Sequence, residues 1–237
     1  MNSDFLGTLF EELDRNKVDY LVLRGYQNLP KSYSNDIDFS VVDENELCSF
    51  FDVIQNLSIK YRFALSRDVV RVGLLKVFLH FDDHILKIDV FHTFQYAGLV
   101  YMDIKKLHDT KRKIPSGIFV PLLNFELAIS LLKEILHNSR IRFDKVALLR
   151  EQFDSSTFSD PFIYFSGRNV LEIQEALFAK DKLVFKNLSF RIRLSLLYSN
   201  LKCYGLIIVC KRIFMFLFVK YLDVARYDEV IYGNLKS

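Results

Sequence analysis

Residues 36–42 read Asp-Ile-Asp-Phe-Ser-Val-Val. A strand turns successive side chains to opposite faces, so Asp36 and Asp38 share one face while Ile37 and Phe39 point into a core. Burying two unpaired carboxylates in so apolar a run is costly. The fold must therefore keep the acid-bearing face open to solvent and able to meet a cation. Two carboxylates one strand repeat apart offer oxygen ligands to a hard ion, and Mg²⁺ suits them when substrate phosphates complete its shell.

The flanking sequence supplies the rest of a sheet. Ser3 can cap a helix over 4–16, where Phe5, Leu6, Leu9, Phe10 and Leu13 recur at helical spacing. Val18–Leu23 reads as a strand ending at Arg24-Gly25, and 26–35 as a loop. Asp43-Glu44-Asn45-Glu46 has the form of a capping box opening a helix to Leu57. Strands are expected at 61–65, 69–81 and 85–91, the last two joined by the turn Asp82-Asp83-His84. Such an order gives an α+β fold with a mixed sheet flanked by helices.

After Pro121 the texture changes. Residues 122–137 form a helix apolar almost all round, and further helices are expected at 141–153, 169–180, 187–200 and 203–225. Pro115, Gly117 and Pro121 suit a joint, which divides the chain into a catalytic domain over 1–115 and a helical domain over 116–237. A length of 237 residues accommodates both.

Composition excludes several classes. At 51% hydrophobic and 26% charged the chain is globular, not disordered. Cys48, Cys203 and Cys210 form no Cys-x-x-Cys pair, which argues against a structural zinc or a disulfide scaffold and for a reducing, cytoplasmic compartment. The start, Met1-Asn-Ser-Asp, lacks a basic segment followed by an apolar run, so no signal peptide is expected. A net charge of +3 does not by itself imply nucleic acid, and none is expected as a partner.

A third acid follows the logic of the first two. In Leu86-Lys87-Ile88-Asp89-Val90-Phe91, Asp89 interrupts an apolar strand. If this strand lies beside Asp36–Asp38, three carboxylates converge. They can then hold the ions of a two-metal phosphoryl or nucleotidyl transfer site and assist the attacking hydroxyl. Gly25 lets backbone N–H groups approach a phosphate, and Lys87, on the face of Asp89, either touches that phosphate or forms a salt bridge. His92 is a further candidate for substrate contact. Lys133 and His137, one helical turn apart, are candidates for the cleft from the helical half.

Gly25, the nine residues after Tyr26, then Asp36-Ile37-Asp38-Phe39 and later Ile88-Asp89-Val90 together resemble the nucleotidyltransferase superfamily, whose core is like that of DNA polymerase beta. The likeness covers roughly residues 18–150. It implies that Asp36, Asp38 and Asp89 bind Mg²⁺ or Mn²⁺ and complete the catalytic triad. It also gives Gly25 and its neighbours the phosphates of a nucleoside triphosphate. Two positions depart from the family pattern: Arg24 stands where a hydrophobic residue is usual, and Tyr26 where a second Gly or Ser is usual. Arg24 offers a compensating charge. Leu23-Arg24-Gly25-Tyr26, Ile88-Asp89-Val90-Phe91-His92 and Leu131–His137 are similar to a subgroup encoded in bacterial surface-polysaccharide gene clusters. The acceptor implied is a hydroxyl or phosphate of a glycan precursor.

Two rival readings remain at this level. A glycosyltransferase also uses Asp-x-Asp, to hold a nucleotide sugar. A binding or regulatory module would keep the fold with a spent site. Separately, residues 182–220 carry eight Lys/Arg and no acid among many apolar side chains. This stretch is expected to lie on a membrane surface, peripheral to the inner membrane, to dock a protein partner, or to pack as a core helix with its charges reaching outward.

Overall fold

The computed structural model describes residues 3–31, 36–71, 73–138 and 182–221. The helices expected at 141–153 and 169–180, and the end of the 26–35 loop, lie outside the described residues. Along the chain run α1 (Ser3–Arg15), β1 (Tyr20–Val22), β2 (Asp36–Val41), α2 (Glu44–Tyr61), β3 (Ala64–Arg71), β4 (Leu74–His80) and β5 (Ile85–Phe91). Then follow β6 (Phe94–Tyr96), β7 (Leu99–Met102), α3 (Ile104–Asp109), β8 (Arg112–Lys113), β9 (Phe119–Val120), α4 (Leu123–Leu132) and α5 (Lys182–Tyr221). Two compact units result. The first takes the chain up to Thr93, Ile104–Pro121 and the chain from Phe216 on, which includes the end of α5; the second takes Phe94–Asp103 and Leu122–Met215.

The first unit is built on a five-stranded mixed sheet in the order β1-β2-β5-β4-β3. β2 and β5 are parallel and every other neighbour is antiparallel. Pleating sorts the side chains of β2 to two faces, although all of them except Asp36 are buried. Ile37, Phe39 and Val41 are buried, and α1 and α2 cover that face. Phe10 of α1 stands 6.0 Å from both Tyr20 and Phe39, and Phe39 meets Phe50 of α2 at 5.0 Å. These rings fix the helices to the sheet largely by removing apolar area from water.

Several boundaries differ from the sequence reading, each for a physical reason. Asp43 does cap α2, its carboxylate accepting from Glu46 N–H at 3.0 Å. The Glu46 carboxylate accepts instead from Asp19 N–H at 2.8 Å, so one acid ties the helix to β1. α2 runs to Tyr61, where a strand was expected, because that side chain is held by α1: its hydroxyl meets Thr8 at 2.6 Å and its ring meets Phe5 edge-on. Arg62 in the left-handed region then ends the helix. The single strand expected over 69–81 is two strands turned at Gly73, whose φ of +84° suits glycine. The Asp82-Asp83-His84 turn joins β4 to β5, with Phe81 N–H donating to His84 C=O at 2.9 Å.

The proline- and glycine-marked stretch 112–121 is a hairpin, β8–β9, belonging to the first unit; Phe119 packs edge-on against Tyr20 at 5.8 Å. A hairpin turn and an interdomain joint use the same residues, so composition does not separate them.

The second unit joins the β6–β7 hairpin to α4 and α5. Asn200 of α5 is fully buried and bonds both backbone groups of Val100, at 3.0 and 2.8 Å, as a neighbouring strand would. α4 continues into a π-helical turn over Lys133–Asn138, whereas the sequence suggested one regular helix. Two carbonyls there are satisfied from α5: Ser189 donates to Ile135 and Arg193 to Leu136, each at 2.7 Å. The helices expected at 187–200 and 203–225 are present as two helical segments of α5, parted by a kink at Gly205, whose φ of +77° and ψ of 164° are not helical; residues 222–225 lie outside the described residues.

Candidate active site

The parallel pairing of β2 with β5 decides where the acids stand. Asp38 is opposite Asp89, and Asp36 is opposite Lys87. Residues in register share a face, so Asp38 and Asp89 lie side by side on the face that α1 and α2 do not cover. Lys76 of β4 is in register with Asp89 from the other side. A row Asp38–Asp89–Lys76 thus crosses the centre of the sheet.

Asp38 and Asp89 are 5% and 6% exposed. Each has one oxygen engaged and one orphaned. Arg24 Nε donates to Asp38 Oδ2, and Lys87 Nζ lies 3.2 Å from Asp89 Oδ2. The Oδ1 atoms of both aspartates are buried and accept no hydrogen bond. Such an oxygen is normally paired, because leaving an acceptor unsatisfied costs its full desolvation. Burial, the larger cause, and the neighbouring Asp38 hold the Asp89 carboxyl above the usual carboxylate range, while Lys87 opposes them.

Asp36 is placed differently. It is exposed, and its Oδ2 is 3.9 Å from Lys87 Nζ. The structure brings Asp38 and Asp89 together and keeps Asp36 at the open end of β2. Among the described residues no three His, Cys, Asp or Glu side chains already form a metal-holding group. The donor set fits a hard divalent ion on narrower grounds. Two hard oxygens, both orphaned, come from adjacent strands, and phosphate or water oxygens can supply the rest of the shell.

The turn at Gly25 adjoins the pair. Leu23 N–H donates to Asp38 C=O at 2.9 Å, so β1 leaves the sheet beside the acid. Gly25 follows at φ +70°, and a Cβ there would meet nothing within 4 Å. Glycine is therefore required by the backbone and faces open space. Tyr26 is buried, and its hydroxyl accepts a hydrogen bond from Arg112 at 3.3 Å. That hydrogen bond ties the loop after the turn to β8. His92 lies just past β5, and burial lowers its pKa to about 4. Lys133 is part of the second unit, and the side chain of His137 lies outside the described residues.

The sequence reading gives no sign of a chain of polar groups, buried at Ser40 and His108 and partly exposed at Asp19, that starts on the acids' own face of β2. Ser40, fully buried on β2, meets His108 Nε2 at 3.1 Å; His108 Nδ1 meets Asp19 at 2.6 Å; Lys111 donates to the same Asp19 oxygen at 2.8 Å. The hydrogen bond to His108, with Lys111 assisting against burial, lowers Asp19 to about 2. The order Ser–His–Asp matches that of a hydrolytic triad, yet no substrate reaches a hydroxyl at 0% exposure. Its work is to fasten β2 to α3 two residues from Asp38. Strand alternation puts Ser40 on the acid face, as found; nothing in the sequence links it to His108.

The chain was compared with models of known protein families, with curated proteins and with solved structures, and none matches.

Proposed function

We propose that the chain is a divalent-metal-dependent nucleotidyltransferase, transferring a nucleotidyl group from a nucleoside triphosphate to a hydroxyl or phosphate acceptor, in keeping with the resemblance to glycan-precursor enzymes. The observation that carries this reading is the pair of orphaned oxygens on Asp38 and Asp89, on adjacent parallel strands beside an open glycine turn. Asp38 and Asp89 would hold the ion, with Asp36 adding an oxygen from the open end. The bound ion would neutralise phosphate charge as it builds in the transition state. Backbone N–H groups at Gly25 would bind phosphate oxygens. Arg24 and Lys87 would turn from the aspartates to the triphosphate. The acceptor oxygen would attack the α-phosphorus and the bond to the β-phosphate bridge would break. Pyrophosphate would leave, and the acceptor proton would pass to Asp89.

The test combines binding with product. Mg²⁺ or Mn²⁺ together with one nucleoside triphosphate is expected to raise the melting temperature of the full chain, and Asp38→Asn to abolish the shift. Incubation with acceptor extracts is expected to release pyrophosphate. Release of a nucleoside diphosphate from a nucleotide sugar would assign the glycosyltransferase reading instead. A second reading has its own support. Arg24 and Lys87 already occupy one oxygen of each acid, as in a site kept for structure. A melting temperature indifferent to metal and nucleotide in both proteins would establish that non-catalytic module.

A further inference from the structure

Helix α5 presents apolar side chains outward on both sides of its break. Phe190, Leu194 and Tyr198, at i, i+4 and i+8, form one exposed stripe before Gly205. After it, Leu206, Ile207 and Phe214 are 67%, 84% and 63% exposed. Val209 of the same turn is buried, and the side chains that bury the helix in its own unit, Ile192, Leu196 and Asn200, alternate with the first stripe. Among the described residues, the helix thus buries one side and exposes large apolar side chains on another, unlike a surface helix that turns its polar face to water. The charges around the bare side are all of one sign. Arg191, Lys202 and Lys211 are exposed, and no acid occurs between residues 182 and 220.

We propose that the exposed apolar side chains of the two segments of α5 lie in the interface of an anionic lipid bilayer, among the acyl chains, with the neighbouring lysines and arginines against acidic headgroups. Two observations choose that occupant. Unbroken positive charge along the helix complements a negatively charged surface. Large aliphatic and aromatic side chains flanked by basic ones are the composition of a helix that lies in the headgroup boundary. Among the described residues no helix is long and apolar enough to cross a membrane, so the contact is peripheral. The inference does not depend on the proposed chemistry, because no residue of the acid site takes part in it.

The test is co-sedimentation of the full chain with vesicles of phosphatidylcholine alone and of phosphatidylcholine with phosphatidylglycerol. Binding is expected only to the anionic vesicles and is expected to fall as salt rises. The double variant Lys202→Glu/Lys211→Glu is expected to lower partition by about tenfold or more, since each cation near the surface contributes a factor of about five. Ile207→Asp with Phe214→Asp is expected to remove it. Both positions are exposed, so unchanged melting temperatures will show that the fold is kept. Equal or absent partition into the two vesicle types overturns the proposal. So does a concentration-dependent dimer that Ile207→Asp/Phe214→Asp dissociates and lipid leaves unchanged, which would make the stripe an interface between two copies.

Discussion

At the scale of single residues, Asp89 is the strained member of the site, a carboxyl pressed between burial and a like neighbour. Because its proton affinity is raised in the folded state, the folded protein binds that proton more tightly than the unfolded chain does. Stability attributable to Asp89 is therefore greatest where it is protonated and is lost as pH rises through its raised pKa. Asp89→Asn has no such proton to lose. With chelator present, its melting temperature is expected to equal or exceed that of the parent at pH 7, the gap closing towards pH 4; parallel curves would contradict this. Asp19 behaves in the opposite sense. Its depressed pKa adds stability above the ordinary carboxylate range and loses it as pH falls towards about 2. Asp19→Asn is expected to lose about 1 kcal/mol at pH 7, a figure reduced because the carboxylate is more than a third exposed. Denaturant melts at pH 7 and pH 3 will check that the loss shrinks with acidity. The two acids were not equally legible. Asp89 announces itself by interrupting an apolar strand, whereas Asp19 acquires its role only through His108, 89 residues away along the chain.

At the scale of elements, legibility follows how local the deciding forces are. β2 and β5 were readable because pleating alone sorts their side chains. The end of α2 was not, because the hydroxyl of Tyr61 finds Thr8, a partner 53 residues distant. The short α3 was missed for a related reason: six residues give too little periodicity to see. The β6–β7 hairpin shows how closely two elements can be fitted. A Cβ on Gly98 would lie 2.6 Å from the Arg212 carbonyl oxygen, and its φ is +82°. Both faults fall on Gly98→Ala at once, and backbone on both sides leaves nothing flexible to yield. We expect a loss of more than about 1 kcal/mol in the second unit, measured by chemical denaturation. A neutral result would mean that α5 can shift away from the hairpin.

At the scale of the whole molecule, the two compact units interleave in sequence, since residues 94–103 leave the first unit and 104–121 return to it. A linear reading places one boundary at a composition change and cannot see such an excursion. The sheet of the first unit has a similar property. Asp38 and Asp89 are brought side by side only after α2, β3 and β4 have been laid down between them, and the row they form runs through the middle strands, not an edge. Two carboxylates therefore stand next to each other at the seam between β2 and β5. Anything that bridges them acts as a rivet across that seam. Amide hydrogens of β2 and β5 should then exchange with deuterium more slowly when Mn²⁺ is added, and those of α1 should be unaffected by local opening at the seam. Slowing that is absent, or that spreads evenly over the chain, would show that the ion binds elsewhere.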